Sequence, residues 1–187
     1  MTSRLVLISP AIGPALREAR FYDGSSSIDD ATAARAAGAA FPEAARVVLS
    51  SGARCRATAE ALGLRGTVAT DLAPLNTGRW RGRTLAEVAA TEGEALTHWL
   101  TDPDYPAPDG ESVQDLCARV GHWLESTPEG RTIAVVEPEV VRAAVVHALG
   151  LPTGTFWRLD VPPLTATELS GRARRWNLRL GRPLGGE

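Results

Sequence analysis

The sequence predicts an α/β protein: a three-layer sandwich around a central, mostly parallel sheet, with antiparallel edge strands near the C-terminus. Three observations carry this. Arg4–Ser9, Arg46–Ser50 and Thr132–Val136 are short, mostly aliphatic or β-branched runs, as buried parallel strands are. A stretch with helical periodicity follows each of them further along the chain. The tail beyond residue 155 instead alternates apolar and polar residues, the pattern of half-buried antiparallel strands.

The elements follow in order. After the first strand, Pro10 to Ser27 is a loop rich in Pro, Gly and Ser. Ile28–Asp30 opens an Ala-rich helix that ends near Phe41 and Pro42. The second strand leads into a helix from about Arg54 to Leu62, and Thr67–Ala69 is a short third strand. A long loop, Asp71 to Arg83, carries Gly78, Trp80 and Gly82. Thr84–Glu92 and Gly93–Thr101 read as two helices, followed by the Pro-rich connection Asp102–Asp109. Glu111–Ser126 places Val113, Leu116, Val120, Trp123 and Leu124 on one helical face. The strand at Thr132 leads into a helix over Pro138–Leu149. Phe156–Val161, Thr165–Leu169 and Arg175–Leu180 read as strands, the last two joined by a turn at Gly171. Arg172, Arg174 and Arg175 form a small basic turn at that hairpin end.

Composition bounds the function. With 187 residues and 44% hydrophobic content, one domain over residues 1–187 is expected. A formal charge of −2 and a pI near 6.0 give no basic footprint for nucleic acid. No apolar run approaches the roughly 20 residues of a membrane span, and Met1–Arg4 enters a strand without a signal-peptide core. A cytoplasmic location is expected. Cys55 and Cys117 lack metal-ligand spacing and are too few for a disulfide framework, so they read as free structural thiols. Neither a metal site nor a cofactor motif is present in the sequence, which implies no cofactor. The partner it leaves open is a small molecule or a protein.

In open α/β sheets, ligands sit beyond the carboxyl ends of the strands. Here those ends read Ser9-Pro10-Ala11, Ser50-Ser51-Gly52-Ala53-Arg54 and Glu137-Pro138-Glu139. Proline has no N–H and no side-chain group able to act as base or nucleophile. The site frame is present, but its chemistry is sparse.

Several strings in this order resemble the histidine phosphatase superfamily, the phosphoglycerate mutase-like fold. Arg4–Ala11 is similar to that family's first strand and Arg-His-Gly motif. Ser50–Glu60 resembles its Ser-Pro-x-x-Arg segment, and Leu75–Gly82 its Gly-x-Trp-x-Gly loop. Asp109–Ser112 resembles Gly-Gly-Glu-Ser, and Val135–Pro152 the second His-Gly motif with its helix.

The resemblance implies phosphoryl transfer through a phosphohistidine. One His attacks, a second His and two Arg hold the phosphoryl oxygens, and an acid protonates the leaving group. Carried over, the nucleophilic His falls on Pro10, the Arg before it on Ser9, the second Arg on Arg54, the acid on Pro74 and the second His on Glu137. Only Arg54 is retained. A carboxylate at Glu137 is worse than a simple loss for a phosphate site. Like charges about 4 Å apart repel by about 4 kcal/mol at an effective dielectric of 20. Pro138 also removes a donor from the start of the following helix.

Bland readings stand beside these. Pro138 at the first helical position with Glu139 in the first turn is ordinary helix initiation. His98, His122 and His147 lie within predicted helices, away from every catalytic position of the family. Trp80 either walls the site or anchors its loop. Arg54 either contacts an anion or forms an ion pair.

The expected function is a catalytically inactive member of this fold, a binding or regulatory module using Ser50, Ser51, Arg54, Trp80, Glu137 and Glu139. The alternative is an enzyme with rebuilt acid–base chemistry on Glu137 and Glu139, holding an anionic substrate on Arg54. Three placements are expected: Pro138 starting a helix, the Trp80 loop and Asp109–Ser112 at the site edge of the sheet, and Arg54 approaching Glu137.

Overall fold

Six strands form one sheet in the order β3-β2-β4-β1-β5-β6. The computed structural model describes residues 2–25, 27–30, 41, 46–172 and 175–184. The strands are β1 (Ser3–Ile8), β2 (Arg46–Leu49), β3 (Thr67–Val68), β4 (Gly130–Val135), β5 (Thr165–Arg172) and β6 (Arg175–Pro183). β3, β2, β4 and β1 run parallel, and β5 and β6 add antiparallel pairs at one side. The helices are α1 (Pro14–Arg17), α2 (Ala53–Ala61), α3 (Leu85–Thr101), α4 (Val113–Ser126) and α5 (Pro138–Leu149).

Period-two alternation sends successive strand residues into two different cores. Leu5, Leu7, Val48 and Ala134 join one cluster with Trp99, Leu116, Val120 and Val140. Ile8, Leu49, Ile133 and Val135 join the other, with Cys55 and Ala59 of α2 and Leu62 just past its end. Helices therefore cover both faces, and every strand end discussed above is anchored by apolar burial just before it.

Helix boundaries have local causes. α3 and α4 each begin with a capping box, Thr84 with Glu87 and Ser112 with Asp115. α5 starts with Pro138 at its first turn and ends on Gly150 in the left-handed region. The two helices expected over residues 84–101 form one run with a kink. Glu92 leaves helical geometry at φ −139°, and its carboxylate accepts from Arg79 at 2.6 Å and Arg83 at 2.8 Å.

Four sequence expectations are corrected or fall elsewhere. Phe156–Val161 is not a strand: Thr153–Arg158 is a 3-10 helix. Period-two alternation would separate Phe156 from Trp157, whereas tertiary packing draws both rings into one aromatic cluster. Phe156 is fully buried, and the Trp157 ring packs at a tilt 4.8 Å from that of Trp99. Gly171 is not the turn. It lies inside β5 opposite Trp176, where a Cβ would meet Arg175 O at 2.4 Å, and the chain reverses between Arg172 and Arg175. The Ala-rich helix, and Arg174 of the basic turn, lie outside the described residues.

Candidate functional site

Register brings the carboxyl ends together. Ile8 and Leu49 both lie beside Val135, so Ser9, Ser50 and Glu137 follow at one edge of the sheet. Main-chain bonds continue the ladder past the strands: Ser50 N donates to Val135 O at 2.9 Å, and Val136 N to Ile8 O at 3.0 Å. The frame expected for a ligand site is therefore formed.

Each residue on that edge already has an internal task. The Ser9 hydroxyl donates to Pro162 O at 2.5 Å and accepts from Thr165 N at 3.1 Å, stitching β1 to the start of β5. Ser9 and Pro10 are buried and line neither of the two clefts described below. Ser50 Oγ accepts from Gly52 N at 3.1 Å, and the Tyr22 hydroxyl accepts from Ala53 N at 3.0 Å. Two amides at the start of α2, where an anion would find donors, are thus taken by the chain's own oxygens.

Glu137 is the N-cap of α5, yet its carboxylate does not cap that helix. It turns across to α2 instead. Arg54 Nη2 donates to Glu137 Oε2, and the Cys55 thiol donates to Oε1 at 3.4 Å. The pair is largely enclosed, with the Arg54 side chain 15% exposed and that of Glu137 2%. Burial alone would lower the Arg54 pKa; the charge and hydrogen bond of Glu137 outweigh it and raise it. Burial, then the Glu137 charge, push the Cys55 thiol far above its usual range, so it stays protonated and unreactive. Gly52 makes room for this arrangement. A Cβ there would lie 3.0 Å from Pro74 Cγ and 3.1 Å from Glu137 Oε1.

Above this floor opens a cleft of about 340 Å³, walled largely by apolar side chains. Arg54, Glu137 and Glu139 line it, and Phe21, Trp99 and Trp157 form its aromatic side. Burial, then the nearby Glu137 charge, hold the Glu139 carboxyl above its ordinary pKa. A second opening, about 390 Å³, lies across Tyr22 and is lined by Ser51, Pro74 and Arg81. Arg81 stands over the Tyr22 ring at 5.4 Å.

The loop carrying Trp80 does sit at this edge. Leu75 and Thr77 face the main cleft. Glu111 fixes them: its backbone N–H bonds Asn76 O at 2.8 Å, and its Oε1 accepts from Asn76 N at 2.8 Å. Arg119 then ties Glu111 at 2.7 Å to the carbonyls of Asp71 and Ala73, at 2.6 and 2.9 Å.

The expected contact residues thus divide. Arg54, Glu137 and Glu139 are brought together in one cleft, and Ser51 reaches the neighbouring one. Ser50 is buried below the floor. Trp80 is fully buried and lines neither opening: its ring packs 5.7 Å from both Phe21 and Trp99, behind the wall rather than in it. Tyr22 and Arg142 were not foreseen. Arg142 is one helical turn from Glu139, a spacing that places both on one face of α5 and was legible in the sequence. Tyr22 had no local signal, because its contact with Ala53 crosses the fold.

A family model for the histidine phosphatase superfamily, branch 1, matches residues 28–182. The chain belongs to this superfamily. A mycobacterial glucosyl-3-phosphoglycerate phosphatase solved with VO3 is similar at TM-score 0.77 and 28% identity, over 95% of this chain and 97% of that one. "Mycobacterial hydrolase 1" gives 0.76 at 25%, over 96% and 98%. An α-ribazole phosphatase from Shigella flexneri gives 0.83 at 18%, over 98% and 99%, a likeness of fold. No curated protein matches the chain by sequence. Within the superfamily frame, proline, serine and glutamate occupy the strand ends of this member. Among the described residues, no helix is long and apolar enough to cross a membrane, and no cluster of three or more His, Cys, Asp or Glu is placed to hold a metal.

Proposed function

We propose that this superfamily member binds a ligand in its cleft without turning over phosphate esters. The observation that carries the reading is the Arg54–Glu137 ion pair. A phosphoryl group needs Arg54 free and its surroundings cationic. Glu137 instead neutralises that guanidinium from within the protein and adds a carboxylate where a phosphate oxygen would lie. Pro10 offers no nucleophile. The occupied amides of Gly52 and Ala53 support the same reading.

The relatives named above include phosphatases, and an enzyme with rebuilt acid–base chemistry finds one suitable group here. Glu139 has a raised pKa in a cleft, a property of many proton carriers. That enzyme would also need Arg54 to hold an anionic substrate, and Arg54 is committed to Glu137.

The test is incubation with p-nitrophenyl phosphate, with vanadate titrated in parallel by thermal unfolding. The expected result is no turnover above buffer and no shift with vanadate. Turnover lost on Glu139→Gln overturns the reading in favour of rebuilt chemistry. Turnover lost on changing His98, His122 or His147 overturns it in favour of phosphohistidine chemistry.

A further inference from the structure

The cleft floor offers nothing to phosphate, yet its walls are unusually apolar for a surface. Leu16, Leu85 and Leu100 stand at its mouth, 48%, 42% and 42% exposed. Large apolar side chains facing water around one opening, rather than scattered singly, mark a binding surface. Behind them stand Phe21, Trp99 and Trp157. The volume, about 340 Å³, suits a small organic molecule.

Two charged groups on α5 face this space, Glu139 and Arg142. They lie three residues apart on one side of the helix but form no ion pair with each other. The Glu139 carboxylate accepts from its own backbone N–H and feels the charges of Arg54 and Arg142, but has no ion-pair partner within 4 Å among the described residues. Arg142 uses Nε on Leu159 O at 2.7 Å, and its guanidinium lies 5.8 Å from the Trp157 ring centre. Its two terminal NH2 groups have no acceptor among the described residues. With Arg54 paired to Glu137 and Arg20 to Glu18, the charged groups that remain on the cleft are Glu139 and Asp23, both negative, and Arg142, positive. A simple anion would meet Glu139, and a simple cation would meet Arg142. A head group bearing both signs satisfies both.

We propose that the cleft binds a small zwitterion with an apolar side group, of which an apolar α-amino acid is the simplest. Its ammonium pairs with Glu139, its carboxylate with the terminal nitrogens of Arg142, and its side group lies among Leu100, Trp99 and Trp157. This assignment rests on the reading that the cleft binds ligand without hydrolysing phosphate esters.

The experiment is calorimetric titration of the full chain with L-phenylalanine, L-leucine and L-tryptophan. Each lost charge is probed with 2-phenylethylamine and 3-phenylpropanoate, and inorganic phosphate is titrated separately. Saturable binding of at least one amino acid is expected, with both single-charge analogues of L-phenylalanine at least about tenfold weaker, as a lost charge-assisted bond implies. Glu139→Gln should weaken the amino acid by about the same factor. Leu100→Asn, at an exposed rim position that leaves folding intact, should also weaken it. No binding of any of the three amino acids overturns the proposal. So does equal affinity for L-phenylalanine and its two analogues, or affinity unchanged in both variants. Saturable phosphate binding strikes elsewhere: it overturns the closed-floor reading on which the proposal rests, whatever the amino acids do.

Discussion

Arg54 and Glu137 meet across the ends of β2 and β4, each projecting from the first turn or cap of the helix that follows its strand. They are 83 residues apart in sequence, and neither has another side chain of opposite charge in bonding contact among the described residues. The pair is both the plug of the site and a buried electrostatic unit, so removing one side has two separate consequences.

Glu137→Ala strands a guanidinium in a largely enclosed place. The expected loss of stability is about 3–5 kcal/mol, toward the lower end because Arg54 keeps some solvent contact. The double change Arg54→Met with Glu137→Leu should recover most of that loss, since no charge is left to solvate. Urea unfolding measures both. Inorganic phosphate should raise the melting temperature of Glu137→Ala and leave the parent unmoved, because only the variant frees the Arg54 guanidinium at the start of α2. A parent that gained as much as the variant would contradict the role given to Glu137.

Glu139 gives a pH dependence of definite sign. Its folded-state pKa is raised above the ordinary value of 4.5, so the folded protein holds that proton more tightly than the unfolded chain. The resulting stabilisation is complete below about pH 4.5 and is lost as pH rises through the folded pKa. Relative to Glu139→Gln, the parent should therefore lose stability from pH 4 to neutrality. Thermal melts of both proteins across that range check it, and a difference that grew in the opposite direction would show that Glu139 is not disfavoured as a charge.

Glu92 should behave with the opposite sign. Its hydrogen bond from Arg79, aided by Arg83, lowers its pKa from 4.5 to about 2. The stabilisation is present above pH 4.5 and disappears as pH falls through about 2. Glu92→Gln should flatten that part of the acid unfolding curve. The kink it holds joins the Trp80 loop to α3, so hydrogen exchange in residues 79–92 should also quicken in the variant.

Gly78 sits at φ +52°, and a Cβ there would fall 1.9 Å from Pro108 O. Gly63, at φ +70°, has nothing within 4 Å of the same position. Gly63→Ala should cost about 1–2 kcal/mol from left-handed strain alone. Gly78→Ala should cost about 2–5 kcal/mol, adding about 1–3 for the forced clash. Equal costs would mean that the Gly78 loop moves freely away from residues 108–110.

The amino-acid sequence by itself determined the framework, because the relevant signals are local. Apolar runs placed β1, β2 and β4 within two residues of their ends, and Pro138 placed the start of α5, since a missing N–H is tolerated only in a first turn. The spacing of Pro10, Arg54 and Glu137 on that framework also gave their position at one sheet edge, and a short tether from strand end to helix start brought Arg54 to Glu137. Tertiary structure decided everything that depends on distant partners. Phe156 and Trp157 alternate like a strand, but contact with Trp99 from α3 winds them into a 3-10 turn. Trp80, flanked by Gly78 and Gly82 in a loop, could by sequence either wall the site or anchor its loop, and it is fully buried among Phe21 and Trp99. Tyr22 finds Ala53, 31 residues away, and takes an amide that no local pattern assigns to it. Helix and strand starts are set by a few neighbouring residues; the contents of a cleft are set by which side chains the whole fold brings within reach.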